Sequence, residues 1–185
     1  MNIRISELIE TPDFQWLRIY KNGNSSVIQS IEEKYKKEDI YRSSMLSRNK
    51  TRWAVIRDPY ERFISGLKYD LARHKVDIED VDIAKLFSPN EHNCINVASG
   101  NINHTVSQFA LLMNTQIGTY VDIEDLDLFL KMHFGKSKKV NQNKEPIEIK
   151  INKEEIMKYL TLDYYIYNNI KNSSFLWEWQ QGRIF

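Results

Sequence analysis

The apolar residues of this chain fall in short clusters separated by polar turns. Phe14-Gln15-Trp16-Leu17-Arg18-Ile19-Tyr20 is aromatic and branched, the composition of a strand. Lys21-Asn22-Gly23-Asn24-Ser25-Ser26 is a turn-forming cluster, and Val27-Ile28-Gln29-Ser30-Ile31 opens a helix expected to run to about Lys36 or Lys37. Residues 38–50 are polar and read as loop, with Tyr41 as an anchor. Trp53-Ala54-Val55-Ile56 is a continuous apolar run, the pattern of a strand covered on both faces. Asp58-Pro59-Tyr60-Glu61 carries the marks of a helix start: Asp at N-cap, Pro at the first position and Glu at the third. That helix turns Phe63, Ile64 and Leu67 inward and is expected to end near Ala72.

The second half is less regular. Residues 74–100 are mixed, with a short helix expected at 80–87. A helix is predicted over 105–113, with Val106, Phe109, Ala110 and Met113 on one stripe. Residues 118–123 read as a third strand and 125–133 as the helix after it. A basic, Asn-containing loop follows at 136–144, then helices at 153–160 and 163–170. Phe175, Trp177 and Trp179 are expected to dock on the core. No internal repeat or low-complexity tract occurs. Strand–helix alternation with short strands predicts an α/β domain whose short, mainly parallel sheet is flanked by helices.

Length and charge narrow the picture. At 185 residues the chain is one ordinary domain, and 42% hydrophobic with 28% charged residues excludes wholesale disorder. A formal net charge of +1 makes a bulk nucleic-acid coat protein a poor fit, although a local basic site stays open. Cys94 is the single cysteine, so an internal disulfide framework and a cysteine-rich zinc module are excluded. No apolar run approaches the length that crosses a bilayer, and Met1-Asn2-Ile3-Arg4-Ile5-Ser6-Glu7 has no signal-type apolar region. A soluble, cytoplasmic protein is the expectation. Abundant Lys, Asn and Ile with only 6 Gly fits an AT-rich genome, bacterial or viral.

Two strand–turn–helix units carry the chemistry. Helix N-termini present unpaired N–H groups and a partial positive charge, so they bind phosphates and sulfates. In parallel sheets such turns gather at the carboxyl edge, where ligands sit. The first unit offers Lys21 as a mobile charge, Gly23 for a positive φ, backbone donors over 23–26 and the hydroxyls of Ser25 and Ser26. The second offers Arg57 at the end of its strand, able to fork onto an oxyanion, and Ser65 two turns into the helix on the face of Arg62. Each segment also has a plain structural reading. The first is then a polar turn; in the second, Asp58 and Pro59 only cap a helix and Arg62 bridges to Asp58. Together, the pair suggests a ligand with two separate anionic groups.

Lys21-Asn22-Gly23-Asn24-Ser25-Ser26 resembles the 5′-phosphosulfate loop of sulfotransferases, commonly Lys-x-Gly-x-Ser/Thr-Ser. Val55-Ile56-Arg57-Asp58-Pro59-Tyr60-Glu61-Arg62-Phe63-Ile64-Ser65 is similar to their 3′-phosphate element, typically Arg-Asp-Pro-x-x-Arg-x-x-Ser, and the closest flavour is the carbohydrate branch. His104-Thr105-Val106-Ser107-Gln108, Tyr120-Val121-Asp122-Ile123-Glu124-Asp125-Leu126, Lys138-Lys139-Val140-Asn141 and Asp163-Tyr164-Tyr165-Ile166-Tyr167 resemble later segments of that branch. The likeness covers roughly residues 14–170 and departs at Tyr20, where the family often has Pro, and after His104, where Trp and Pro are missing.

The resemblance implies a P-loop-like, three-layer fold and 3′-phosphoadenosine 5′-phosphosulfate (PAPS) as donor, leaving adenosine 3′,5′-bisphosphate as product. It implies Lys21, Asn22, Gly23, Asn24, Ser25 and Ser26 around the 5′-phosphosulfate, with Lys21 neutralising the leaving oxygen. Arg57 and Ser65 are implied to hold the 3′-phosphate, and Lys139 to cover the nucleotide. His104 is the candidate base, since imidazole has a suitable pKa range. The chemistry needs no metal. The acceptor class is a carbohydrate hydroxyl; protein tyrosine and small metabolites stay open. His74, His92 and His133 are expected at the surface, and Trp177 and Trp179 in the core rather than on adenine. Two other classes stand beside this one. A P-loop-type kinase is disfavoured, because no Gly-x-x-x-x-Gly-Lys-Ser/Thr occurs. A non-catalytic nucleotide- or glycan-binding module on the same fold remains open.

Overall fold

Alternation of side chains along the central strands fixes two buried faces, and the helices follow from it. The computed structural model describes residues 7–43, 45–87, 104–105, 107–108, 112, 115–135 and 149–177. The strands are β1 (Glu7–Glu10), β2 (Phe14–Arg18), β3 (Tyr41–Ser43), β4 (Thr51–Ile56) and β5 (Thr119–Asp122). The helices are α1 (Asn24–Lys34), α2 (Pro59–His74), α3 (Ile83–Leu86), α4 (Leu126–Phe134), α5 (Lys153–Tyr159) and α6 (Thr161–Lys171). The strands form one sheet of order β3-β1-β2-β4-β5.

β2, β4 and β5 run parallel, whereas β1 pairs antiparallel with both β2 and β3. The sheet is therefore mixed, not mainly parallel as the sequence pattern predicts. The difference lies in β1 and β3. The first was not marked by any periodicity, and Tyr41–Ser43 sits in the stretch read as loop. Polar bonds tie this edge together. Glu10 accepts from Gln15 Nε2 at 2.7 Å and from Lys50 Nζ at 2.8 Å, and such partners leave no hydrophobic pattern to read.

Trp53 and Val55 of β4 face one side with Phe14 and Trp16 of β2, under α1 and α4. Ala54 faces the other with Leu17 and Ile19, against Leu112, Ile117 and, on α6, Ile170. Helices α2, α3, α5 and α6 enclose a separate cluster that includes Phe63, Leu67, Val81, Leu86, Ile156 and Leu160. Burying each such side chain contributes about 1.5–3 kcal/mol.

Helix ends follow local chemistry. Asp58 accepts the Glu61 N–H at 3.0 Å and Pro59 occupies the first position, so α2 begins where the sequence places it. It ends two residues later than expected, at His74. α1 begins at Asn24, within the turn cluster, and stops at Lys34. The short helix expected at 80–87 resolves into a 3-10 turn at Ile78–Asp80 and α3. Gln108 and Leu112 have helical backbone; the stripe of Val106, Phe109, Ala110 and Met113 lies outside the described residues. So do the 136–144 loop with Lys138, Lys139 and Asn141, and His92, Cys94 and Trp179. Trp177 is fully buried in the main core, while Phe175 is exposed. The tail is pinned to β5, with Trp177 N–H donating to the Tyr120 carbonyl at 2.8 Å. Among the described residues, no helix is long and apolar enough to cross a membrane.

Candidate functional site at the carboxyl ends of β2 and β4

β2 and β4 are parallel neighbours with Leu17 opposite Ala54. The loops that leave them, 19–23 and 57–58, therefore emerge side by side. Five long-range hydrogen bonds join them. Asn22 is wholly buried and donates from its side-chain amide to the Val55 carbonyl at 2.7 Å and to Gln108 Oε1 at 2.9 Å. Gln108 Oε1 also accepts the Arg57 N–H at 3.2 Å, and its Nε2 donates to the Arg57 carbonyl at 2.8 Å. Buried polar groups persist only when bonded, so Gln108 acts as a staple across both loops. Arg57 Nη1 completes the junction by donating to the Lys21 carbonyl at 3.4 Å. The Asn22 side chain thus points into the protein, which leaves only its backbone for a ligand.

Gly23 caps α1 with φ 73°, and a Cβ there would lie 2.4 Å from Leu126 Cδ2. The left-handed backbone favours glycine, and an added Cβ would also displace the Leu126 side chain. Lys21 also has a positive φ, 66°, a conformation that costs a non-glycine residue about 1–3 kcal/mol and clusters at functional sites. Asn24, Ser25 and Ser26 form the first turn of α1, where a helix directs its leading N–H groups outward. The Lys21 ammonium rests 4.3 Å from the centre of the Tyr69 ring. Desolvation lowers its pKa; Asp70 pulls it up and Arg57 pushes it further down.

Arg57 bonds Glu61 through Nε and Nη2, both at 3.4 Å to Oε2, and Glu61 is 61% exposed. A long, exposed pair of this kind contributes little, so Arg57 can exchange it for a stronger anion. Ser65 lies one turn beyond Glu61 and one turn before Tyr69, on the same face of α2. That face therefore runs from Arg57 to Lys21. Arg62 does not bridge to Asp58. It is 2% exposed and donates from Nε to the Tyr20 carbonyl at 3.2 Å, with Nη2 unpartnered among the described residues. Burial lowers its pKa to about 10, with Asp163 opposing and Arg57 adding to the shift. Asp58 instead receives the Tyr164 hydroxyl at 3.0 Å.

His104 comes to the same place from 83 residues down the chain from Lys21. Its Nδ1 lies 2.5 Å from Asp70 Oδ1, and its N–H donates to Asp70 Oδ2 at 2.9 Å. The ring packs edge-on against Tyr69 at 4.6 Å and Tyr20 at 5.1 Å. Gly66 makes this approach possible, since a Cβ there would lie 2.4 Å from the His104 carbonyl oxygen.

The structure thus gathers Lys21, Gly23, Asn24, Ser25, Ser26, Arg57, Ser65 and His104 around one sheet edge. Lys139 falls outside the described residues. Sequence reasoning missed Gly66, Tyr69, Asp70 and the stapling role of Gln108. A glycine inside a helix was the one local signal available; the others depend on partners far along the chain. His133 is at the surface only in part: it packs on Phe129 at 4.4 Å, and burial, with Lys34 adding, lowers its pKa. Trp177 belongs to the main core, as expected. No protein-family model, curated protein or solved structure matches the chain.

Proposed function

We propose that this protein is a sulfotransferase that moves a sulfuryl group from PAPS to an acceptor hydroxyl, with carbohydrate as the acceptor class, on a P-loop-like fold. The observation that carries the reading is the Arg57–Lys21 contact at 3.4 Å. It sets two anion-suited loops one hydrogen bond apart, within reach of a single doubly charged nucleotide. Gly23 and the first turn of α1 cradle the 5′ end, while Arg57 and Ser65 take the 3′-phosphate, which distinguishes the donor from ATP. Lys21 leaves the Tyr69 face to neutralise the phosphate oxygen as the S–O bond breaks. His104 accepts the proton of the acceptor hydroxyl as its oxygen bonds to sulfur. Positioning and charge stabilisation carry the rate, as in phosphoryl transfer.

Thermal shift with adenosine 3′,5′-bisphosphate, ATP and AMP tests the donor. Selective stabilisation by the bisphosphate is expected. Preference for ATP favours a kinase. Bisphosphate binding with no labelled-sulfate transfer to a mixed glycan and lysate panel favours a binding module.

A further inference from the structure

We infer that Asp70 is a positioning residue that fixes the tautomer and ring orientation of His104, leaving Nε2 as the proton-accepting nitrogen. The inference rests on the base role given to His104 above and extends it to a residue outside every motif considered so far. Asp70 is 4% exposed and makes two contacts with one residue: Oδ2 accepts the His104 backbone N–H and Oδ1 faces ring Nδ1. A carboxylate only accepts. Both oxygens are turned to His104, so Nδ1 carries the proton and the lone pair lies on Nε2. Tyr69 and Tyr20 flank the ring edge-on, and Gly66 lets the His104 backbone lie against α2. Residues 66, 69 and 70 thus hold the base from the helix that also carries Ser65. Donor-side and acceptor-side groups are fixed relative to one another by a single rigid element. An acidic partner on the far ring nitrogen is a general way to orient a catalytic imidazole.

The test is side-chain nitrogen NMR of the full chain, at a pH where the His104 ring is neutral, for the native protein and Asp70→Asn. Native protein is expected to show the proton on Nδ1. In Asp70→Asn the new amide faces Nδ1 as a donor, so the proton is expected to move to Nε2, and diethyl pyrocarbonate modification of His104 to slow. A native ring protonated on Nε2, or an unchanged tautomer in a folded Asp70→Asn protein, overturns the proposal; the native spectrum decides even if the variant does not fold. Sulfate transfer by Asp70→Asn is expected to fall about 10²- to 10⁴-fold, with bisphosphate affinity retained. Bisphosphate titration of the same samples separates the two readings. A tautomer switch without bisphosphate binding removes the donor assignment and leaves Asp70–His104 standing; bisphosphate binding without the switch does the reverse.

Discussion

Replacing Gly66 by alanine tests the packing of His104 on α2 with a single methyl group. The added Cβ would meet the His104 carbonyl oxygen at 2.4 Å, its carbon at 2.7 Å and the Thr105 nitrogen at 3.2 Å, all backbone atoms with no rotamer to yield. Ordinary contact demands that the two segments separate by roughly 1.0–1.6 Å. Overpacking of this kind costs about 1–3 kcal/mol, and alanine in place of a helical glycine returns about 1 kcal/mol. The net loss is then about 0–2 kcal/mol, a fall in Tm of no more than about 8 °C for a chain of this size. The effect on chemistry is larger, since a misplacement of about 1 Å can reduce turnover about 100-fold. Thermal denaturation, bisphosphate affinity and labelled-sulfate transfer should be measured on one preparation. The expected outcome is a folded protein with native bisphosphate affinity, shifted His104 ring signals and a large loss of transfer. Unshifted His104 signals with full transfer refute the reasoning.

Lys21→Ala is expected to lower turnover with little change in bisphosphate affinity, whereas Arg57→Ala should weaken that affinity about 10- to 100-fold, the worth of a charge-assisted bond; equal, small effects from both would remove the assigned roles. Because burial lowers the Lys21 pKa below 10.5, the ammonium is lost earlier than in free lysine. Turnover should therefore fall as pH rises through the region below 10.5, and labelled-sulfate transfer by Lys21→Ala should show no such fall. At Glu10, desolvation opposes ionisation, but bonds from Lys50, Gln15, Tyr41 and Ser43 outweigh it and lower the pKa from 4.5 to about 2. This depressed carboxyl stabilises the fold above pH 4.5, and the contribution is lost as pH falls toward about 2; Glu10→Gln should flatten the acid limb of denaturant-measured stability. Trp177→Ala removes a fully buried ring from the main core and should cost about 3–5 kcal/mol by chemical denaturation; a loss below about 1 kcal/mol would mean that the tail is not part of the core.

Local chemistry was readable from the chain. Asp58-Pro59-Tyr60-Glu61 specifies a helix start wherever it occurs, because cap, proline and third-position N–H are neighbours in sequence. Trp53-Ala54-Val55-Ile56 specifies a strand buried on both sides through its own apolar run. Gly23 marks a left-handed turn because only glycine enters that conformation freely. The edge strands were not readable: β3 is three residues long, and its pairing to β1, with Leu8 opposite Ser43 and Glu10 opposite Tyr41, follows backbone register rather than any side-chain period.

The sequence by itself therefore determined the central strands, the start of α2 and the two polar turns with their charged and hydroxyl residues. Only the tertiary structure decided that those turns meet, that Asn22 and Gln108 bind them together, and that Asp70 rather than any neighbour in sequence holds His104. The physical reason is distance along the chain. Capping and strand formation act over a few residues, so propensity records them. The Asn22–Gln108 bond spans 86 residues and the His104–Asp70 bond 34; such pairs exist only after parallel pairing of β2 with β4 and the packing of α2 have brought the segments together.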